Sequence, residues 1–318
     1  MPYAIESCLS QSFQDIEIII GDDGSDDGSI ELIEQYCRDY PEKIRYFVME
    51  RPAELKNFVP SIRASNVIKT ALGKANGRYA VILSGDDYFC DSKKFADAAA
   101  FLNSHETYSA YADSFKMVYE DGQEMIYLAP RPRNYPASFF WSKDYIHLSS
   151  FVWRKSVFDE GWFLERFCDD TGLIFSIACA GKVKFSEKVS FAYRQHNYGI
   201  MATTGKMGLN ILELMLFQDC LRTGKMIWSS CSRFAYPLLS VYRNRAELHE
   251  AAYTKYIKSC EGYSHNVVGE IINSDASLKS RLFIYSLMLK CMISRKFFGL
   301  MSKLIKLPGK VQRKLFKL

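Results

Sequence analysis

Twice in this chain an apolar run stops at a pair of adjacent carboxylates. Val81-Ile82-Leu83-Ser84-Gly85-Asp86-Asp87 ends in a glycine and two aspartates, with Tyr88 and Phe89 directly behind. Ile18-Ile19-Ile20-Gly21-Asp22-Asp23 repeats the pattern upstream. Neighbouring carboxylates repel unless a cation lies between them, and a hard divalent ion shared with substrate phosphates commonly fills that role. A solvated turn is the plainer alternative, because Gly-Asp-Asp is also ordinary turn chemistry. The recurrence favours a ligand. A third pair, Asp169-Asp170, opens the apolar run from Leu173 to Ala180. Carboxylates at a helix start also complement the helix dipole, so this pair has a structural reading of its own.

These groups need a scaffold that aims them. Residues 3–12 read as a short helix, and Asp15 to Ile20 as a β-branched strand. Ile30 to Tyr36 is apolar at helical spacing with Ser29 as N-cap, and Ile44 to Met49 is a second strand. A helix over 61–75, closed near Gly73 or Gly77, leads to the strand from Tyr79 to Leu83. A helix over 92–104 and a hairpin around Glu120-Asp121-Gly122 follow. Short strands at Phe185 and from Val189 to Tyr193 end in Tyr193-Arg194-Gln195-His196. Alternating strands and helices with unbroken apolar strands predict an α/β fold with a doubly wound, parallel sheet, whose ligands bind at the carboxyl edge.

The loop from Asp23 to Glu34 also fits a twelve-residue calcium loop, with oxygen ligands at Asp23, Ser25 and Asp27, Gly28 at position six and Glu34 at twelve. Such a loop needs a helix on each side, and a strand precedes this one. A strand-to-helix turn whose carboxylates meet the base or ribose of a nucleotide fits better.

The totals narrow the class. The 318 residues suffice for one or two domains with a real core. Nine scattered cysteines form no metal-ligand spacing and suggest reduced thiols in the cytoplasm. No leader or membrane-spanning run is expected. Residues 276–318 hold eleven Lys and Arg and no acid, so residues 1–275 carry −6 within a chain of net +5. An acidic body with a basic tail points away from nucleic acid and gives the tail an anionic partner.

The stretch Ser10-Gln11-Ser12-Phe13-Gln14-Asp15-Ile16-Glu17-Ile18-Ile19-Ile20-Gly21-Asp22-Asp23-Gly24-Ser25 resembles a recurrent signature of the family 2 glycosyltransferases. Arg63-Ala64-Ser65-Asn66 ahead of Gly77-Arg78-Tyr79, Leu83 to Asp87, Asp169-Asp170 and Tyr193-Arg194-Gln195-His196 resemble further motifs of that family, in order, over about residues 3–200. The resemblance implies a GT-A fold, a Rossmann-like nucleotide-diphospho-sugar transferase domain, across 1–205. A helical extension over 206–275 and the basic amphipathic tail 276–318 would follow. It also implies inverting transfer of a sugar from a nucleoside diphosphate, expected to be UDP, to a hydroxyl of a glycan or lipid-linked acceptor. Capsule, O-antigen or exopolysaccharide assembly in a bacterium is the implied setting.

Carried over by residue, Asp23 contacts the base with Asp22 beside it, and Arg63, Asn66, Ser84 and Gly85 complete the nucleotide site. Asp86 is the principal ligand of Mn²⁺ or Mg²⁺, with Asp87 and His196 as further candidates. Asp170 is the general base, with Asp169 adjacent. Specificity falls to 128–165, where Arg131, Arg133, Trp141, His147 and Trp153 are candidates, although core packing is the commoner role for tryptophan. Ser84 stands where the family has an aspartate. The family's first strand has no counterpart here, so a longer working form is expected. A catalytically impaired sugar-nucleotide-binding or scaffold protein is therefore the alternative.

In the tail, Arg281, Arg295, Lys296, Lys303 and Lys306 gather within about 100° of a helical wheel at ~100° per residue. Pro308 ends the helix. Such a face suits an anionic membrane surface, and a helix packed on the acidic body is the alternative; with the lipid-linked acceptors that the resemblance implies, the expected location is peripheral, on the inner face of the plasma membrane.

Overall fold

The computed structural model describes residues 1–49, 60–129, 146–159 and 170–197, together with residues 199 and 213. All of these except Glu213 belong to one compact unit. The expected borders near 205 and 275, the helical extension and the basic tail lie outside the described residues, as do Arg131, Arg133, Trp141 and Asp169.

The chain opens with α1 (Pro2–Leu9) and β1 (Ile18–Asp22), then α2 (Ser29–Asp39), β2 (Ile44–Val48) and α3 (Pro60–Lys74). Strands β1 and β2 pair in parallel from Ile18↔Ile44 to Asp22↔Val48. Helix α3 lies close against β1 at Gly21, where an added Cβ would overlap the side chains of Val67 and Phe47. Below this layer, Glu17 ties three segments together. Its carboxylate accepts the N–H groups of Asn76 (2.6 Å) and Gly77 (2.7 Å) and pairs with Arg45.

A second sheet holds β3 (Tyr79–Ala80), β4 (Tyr88–Phe89), β5 (Tyr108–Tyr119), β6 (Glu124–Tyr127), β7 (Phe151–Arg154) and β8 (Lys182–Gln195) in the order β3-β7-β5-β8-β4, with β6 beside β5. The expected parallel pairing is found between β1 and β2, but this second sheet is mixed. Only β5 and β8 run parallel in this sheet, and the other pairings are antiparallel. The apolar run Val81-Ile82-Leu83 makes no ladder among the described residues, yet Val81 and Leu83 pack on the cluster of Phe89, Phe115 and Phe191. Hydrophobicity therefore located the segment, and its pairing could not be read from it. Trp153, one of the specificity candidates, is fully buried on β7 and takes the core-packing role.

Helix α1 is clamped through two buried polar side chains. Ser7 Oγ accepts the Phe89 N–H at 3.1 Å, and Gln11 donates to the Asp91 carbonyl and accepts the Phe95 N–H. Helix α4 (Lys94–Ser104) begins with a lysine inside the core. Lys94 Nζ lies 3.2 Å from Asp113 Oδ2 and donates to the Ser150 carbonyl (2.9 Å) and to Ser190 Oγ (3.1 Å). Ser190 in turn donates to Asp113 at 2.7 Å. Burial pulls the Lys94 ammonium down while Asp113 raises it, and the network fastens α4 to β5, β8 and the turn preceding β7. Helices α5 (Ser156–Asp159) and α6 (Asp170–Ala180) complete the unit.

Candidate active site

The loop after β1 is shaped by Asp22. Its carboxylate accepts the N–H groups of Gly24 (2.8 Å) and Ser25 (2.7 Å) and the Ser25 hydroxyl (2.7 Å), and the residue is buried. Gly24 and Gly28 take left-handed φ of 87° and 85°, conformations that side chains disfavour. Gly28, rather than the expected Ser29, is the N-cap of α2, and Asp27 accepts the Ser29 N–H at 3.1 Å. The loop is thus a strand-to-helix turn. As expected, a strand and not a helix precedes the loop, and Glu34, the twelfth position of the calcium pattern, accepts the Tyr46 hydroxyl at 2.8 Å. Asp23 turns the other way, with Oδ2 at 3.3 Å from Arg63 Nε, which pairs two of the residues expected at the nucleotide. Asn66 is exposed on α3, three residues on from Arg63.

Ser84 to Asp87 form a tight turn closed by the Asp87 N–H donating to the Ser84 carbonyl at 3.1 Å. Gly85 lies inside this turn. The turn separates its two carboxylates. Asp86 stays accessible, its side chain 40% exposed, and its Oδ2 lies 2.9 Å from His196 Nε2. Asp87 is fully buried, with Oδ1 accepting the Arg194 N–H at 2.9 Å and Oδ2 without a hydrogen-bond partner. Desolvation pushes Asp87 up to about 8, and the charges of Asp86 and Asp170 push the same way against the Arg194 N–H and guanidinium. The Arg194 side chain also donates to the Asp86 carbonyl.

Asp170 starts α6. A helix dipole alone would hold its carboxyl down, yet desolvation raises it to about 6 even though the residue as a whole keeps solvent access. Its field reaches Asp87 and also Tyr193, whose phenol is raised first by burial and then by Asp87, Asp86 and Asp170. Asp86, Asp87 and Asp170 therefore lie near enough for their charges to interact around Tyr193, with Asp87 buried and held by the Arg194 N–H.

Two participants carried no assigned role in the sequence reading. Arg194 sits inside the Tyr-Arg-x-His motif, so its position was visible and its job was not. His147 was only a specificity candidate. Its ring lies 4.8 Å from Tyr193 and 4.9 Å from Phe191, and its Nδ1 accepts the Ser149 N–H at 3.2 Å. Desolvation lowers it to about 4 against the pull of Asp86, which keeps it neutral at pH 7.

The donor set fits a hard divalent ion in part. Asp86 and His196 present an oxygen and a nitrogen at one accessible point, and the buried Asp87 Oδ2, next along the chain, has no hydrogen-bond partner. Among the described residues no three such side chains form a cage. Phosphate oxygens and water would have to complete the coordination, as they do where Mg²⁺ is held by one or two carboxylates.

The family model for glycosyl transferase family 2 matches residues 1–162. The chain belongs to glycosyl transferase family 2. An uncharacterized protein of Mycobacterium tuberculosis is 24% identical over 192 residues, which cover 58% of this chain and 51% of that protein. An uncharacterized glycosyltransferase of Haemophilus influenzae is 34% identical over 104 residues, covering 32% and 36%. The putative glycosyltransferase EpsE of Bacillus subtilis is 30% identical over 105 residues, covering 33% and 34%. This family 2 chain thus spans about half the length, or less, of these curated relatives. The crystal structure of S. aureus TarS 1–349 in complex with UDP superposes with a TM-score of 0.53 at 12% identity, covering 90% of this chain and 84% of that one. The likeness is one of fold, and that fold is GT-A.

Proposed function

We propose that the protein transfers a sugar from a nucleoside diphosphate, UDP foremost, to a hydroxyl of a glycan or lipid-linked acceptor, with inversion, in surface-polysaccharide assembly. The observation that carries this reading is the accessible Asp86–His196 pair, with Asp170, raised to about 6, near enough for its charge to reach Asp87 and Tyr193. A UDP complex of the structural neighbour TarS supports the choice of nucleotide. Asp23, paired with Arg63 at 3.3 Å, would meet the base. Asp170 takes the acceptor hydroxyl's proton, for which a pKa near 6 suits operation near neutrality. Asp87 holds Arg194, and with it the end of β8, in register with Asp86. A bound Mn²⁺ or Mg²⁺ would supply positive charge to the departing diphosphate.

Calorimetric titration of UDP, with and without Mn²⁺, into the protein and into Asp86→Ala tests this reading. Metal-dependent binding that disappears in the variant is expected. Absence of UDP binding by the unaltered protein overturns the proposal. A protein that binds nucleotide without turnover is the second reading, favoured by Ser84 at the family's aspartate position and by the incomplete cage. Donor-sugar turnover separates the two. The basic residues of 276–318 further support a proposal of peripheral attachment to an anionic inner membrane face. Vesicle sedimentation with and without that segment tests it, and equal binding by both forms defeats it. No helix among the described residues is long and apolar enough to cross a membrane.

A further inference from the structure

The strand that delivers Arg194 and His196 is irregular in its middle. Between Asp113↔Ser186 and Phe115↔Phe191, β8 advances five residues while β5 advances two. The excess of three is odd, and successive side chains of a strand point to opposite faces, so it decides which residues at the end of β8 meet the Asp86 turn. Carried through unchanged, the upstream register would set Phe191 beside Val118, where Arg194 stands. Beyond the irregular stretch, Arg194 and His196 lie two residues apart and both reach Asp86. Arg194 donates to its carbonyl, and His196 Nε2 lies 2.9 Å from Oδ2.

Ser190 lies inside that stretch and is fully buried. Its hydroxyl donates to Asp113 Oδ2 at 2.7 Å and accepts from Lys94 Nζ at 3.1 Å. Its carbonyl accepts the Cys90 N–H at 2.9 Å, and β4, which follows Asp87 directly, pairs with β8 at Phe89↔Phe191 and Tyr88↔Ala192. The strand entering the site and the strand leaving it are thus tied at one point. A buried ammonium and carboxylate are a poor way to gain stability, since apolar side chains of similar volume often serve as well. What charge-assisted hydrogen bonds add is direction, and setting a register is the best-attested use of such a pair. We infer that Ser190, held by Lys94 and Asp113, is a positioning residue that fixes the register of the end of β8 and so brings His196 onto Asp86. The inference rests on the Asp86–His196 pair as the metal-binding point of the transferase reading and adds the device that sets its geometry.

The test compares Ser190→Ala with Ser109→Ala in the full chain. Ser109 is buried at the start of β5 and donates to the Ile177 carbonyl at 2.7 Å, so each variant loses one buried hydroxyl and only the first touches the network. Histidine-labelled protein gives the His196 ring resonance, assigned by its loss in His196→Gln. Without metal or nucleotide, that resonance should move in Ser190→Ala and stay in place in Ser109→Ala. In calorimetry, the gain in UDP affinity on adding Mn²⁺ should shrink about tenfold or more in Ser190→Ala, the scale for losing a group that orients a metal ligand, and stay within about twofold in Ser109→Ala. Metal-free UDP affinity should be alike in both. Circular dichroism checks the fold, and Ser190→Cys, which fills the same space with a weak donor, carries the test if the alanine variant does not fold. An unmoved His196 resonance, or an Mn²⁺ response in Ser190→Ala that matches Ser109→Ala, overturns the inference. If the unaltered protein shows no Mn²⁺-dependent UDP binding, the proposed function fails by itself, and the ring resonance still decides the positioning role.

Discussion

At the end of β1, the Asp22 carboxylate receives three hydrogen bonds from the turn that it organises. At the turn after Leu83, the Asp87 carboxylate receives one, from Arg194, and keeps a buried oxygen with no hydrogen-bond partner. Each acidic pair has one aspartate held by the fold and one left accessible: Asp23 against Arg63, and Asp86 against His196. The pairs differ in how their charge is met. The first is answered by backbone N–H groups, a hydroxyl and a guanidinium, so it is complete without a ligand. The second sets two carboxylates near a third, Asp170, and burial first, then the charges of Asp86 and Asp170, raises Asp87 to about 8. Adjacent acids become a cation-seeking site only where the fold withholds its own donors.

The largest expected effect breaks the second pair. Asp86→Ala should lower sugar transfer by about 10²–10³-fold, the scale for losing an electrostatic anchor of the transition state. Asp23→Ala should cost about tenfold and raise KM for the donor more than it lowers kcat. Equal losses in the two variants would dissolve the distinction between the pairs. Next, kcat/KM should fall about tenfold per pH unit below about 6, because Asp170 must be ionised to act as base. A profile flat down to pH 5 removes Asp170 from that role.

The folded-state members should respond with opposite signs. Asp22→Ala removes three bonds from the turn and should destabilise by about 2 kcal/mol in a urea titration. Asp87→Asn should not destabilise the metal-free protein at pH 8. The pKa of Asp87 is raised from 3.8 to about 8 in the folded state, so the folded protein holds a proton that the unfolded chain has lost. Its contribution to stability therefore declines as pH rises from about 4 to about 8. That decline should vanish in Asp87→Asn. A urea midpoint with the same pH slope in both proteins contradicts the buried, proton-holding state.

Much of the site was legible because motif order and strand-end position travel together. Asp23 beside Arg63, Asp86 beside His196 and the helix start at Asp170 all stand where the sequence led. The division of labour inside each pair was not legible, since it depends on which carboxylate the turn rotates inward. The strand directions of the second sheet were not legible for a related reason. Long β5 can pair on both edges, and apolar runs do not reveal the direction of their partners. Lys94 and Asp113 are a charged pair that composition would place at the surface, and only tertiary contacts bring them together in the core. His147 belongs to the site through rings contributed by β5 and β8, contacts that no local spacing encodes.

The smallest effect is the sharpest test of completeness in the first pair. Ser25 donates its hydroxyl to Asp22 Oδ2, while its backbone N–H and that of Gly24 both reach Oδ1. Ser25→Ala removes only the hydroxyl. Oδ2 belongs to a buried residue, so it loses a partner that the backbone bonds to Oδ1 do not replace. A net loss of about 1 kcal/mol is the expectation for one hydrogen bond to a charged acceptor in a partly accessible loop. UDP affinity should move less than twofold, because the turn keeps both backbone bonds and Asp23 keeps Arg63. A tenfold fall in UDP affinity with unchanged stability would instead place the Ser25 hydroxyl on the nucleotide, and the first acidic pair would then be ligand-completed like the second.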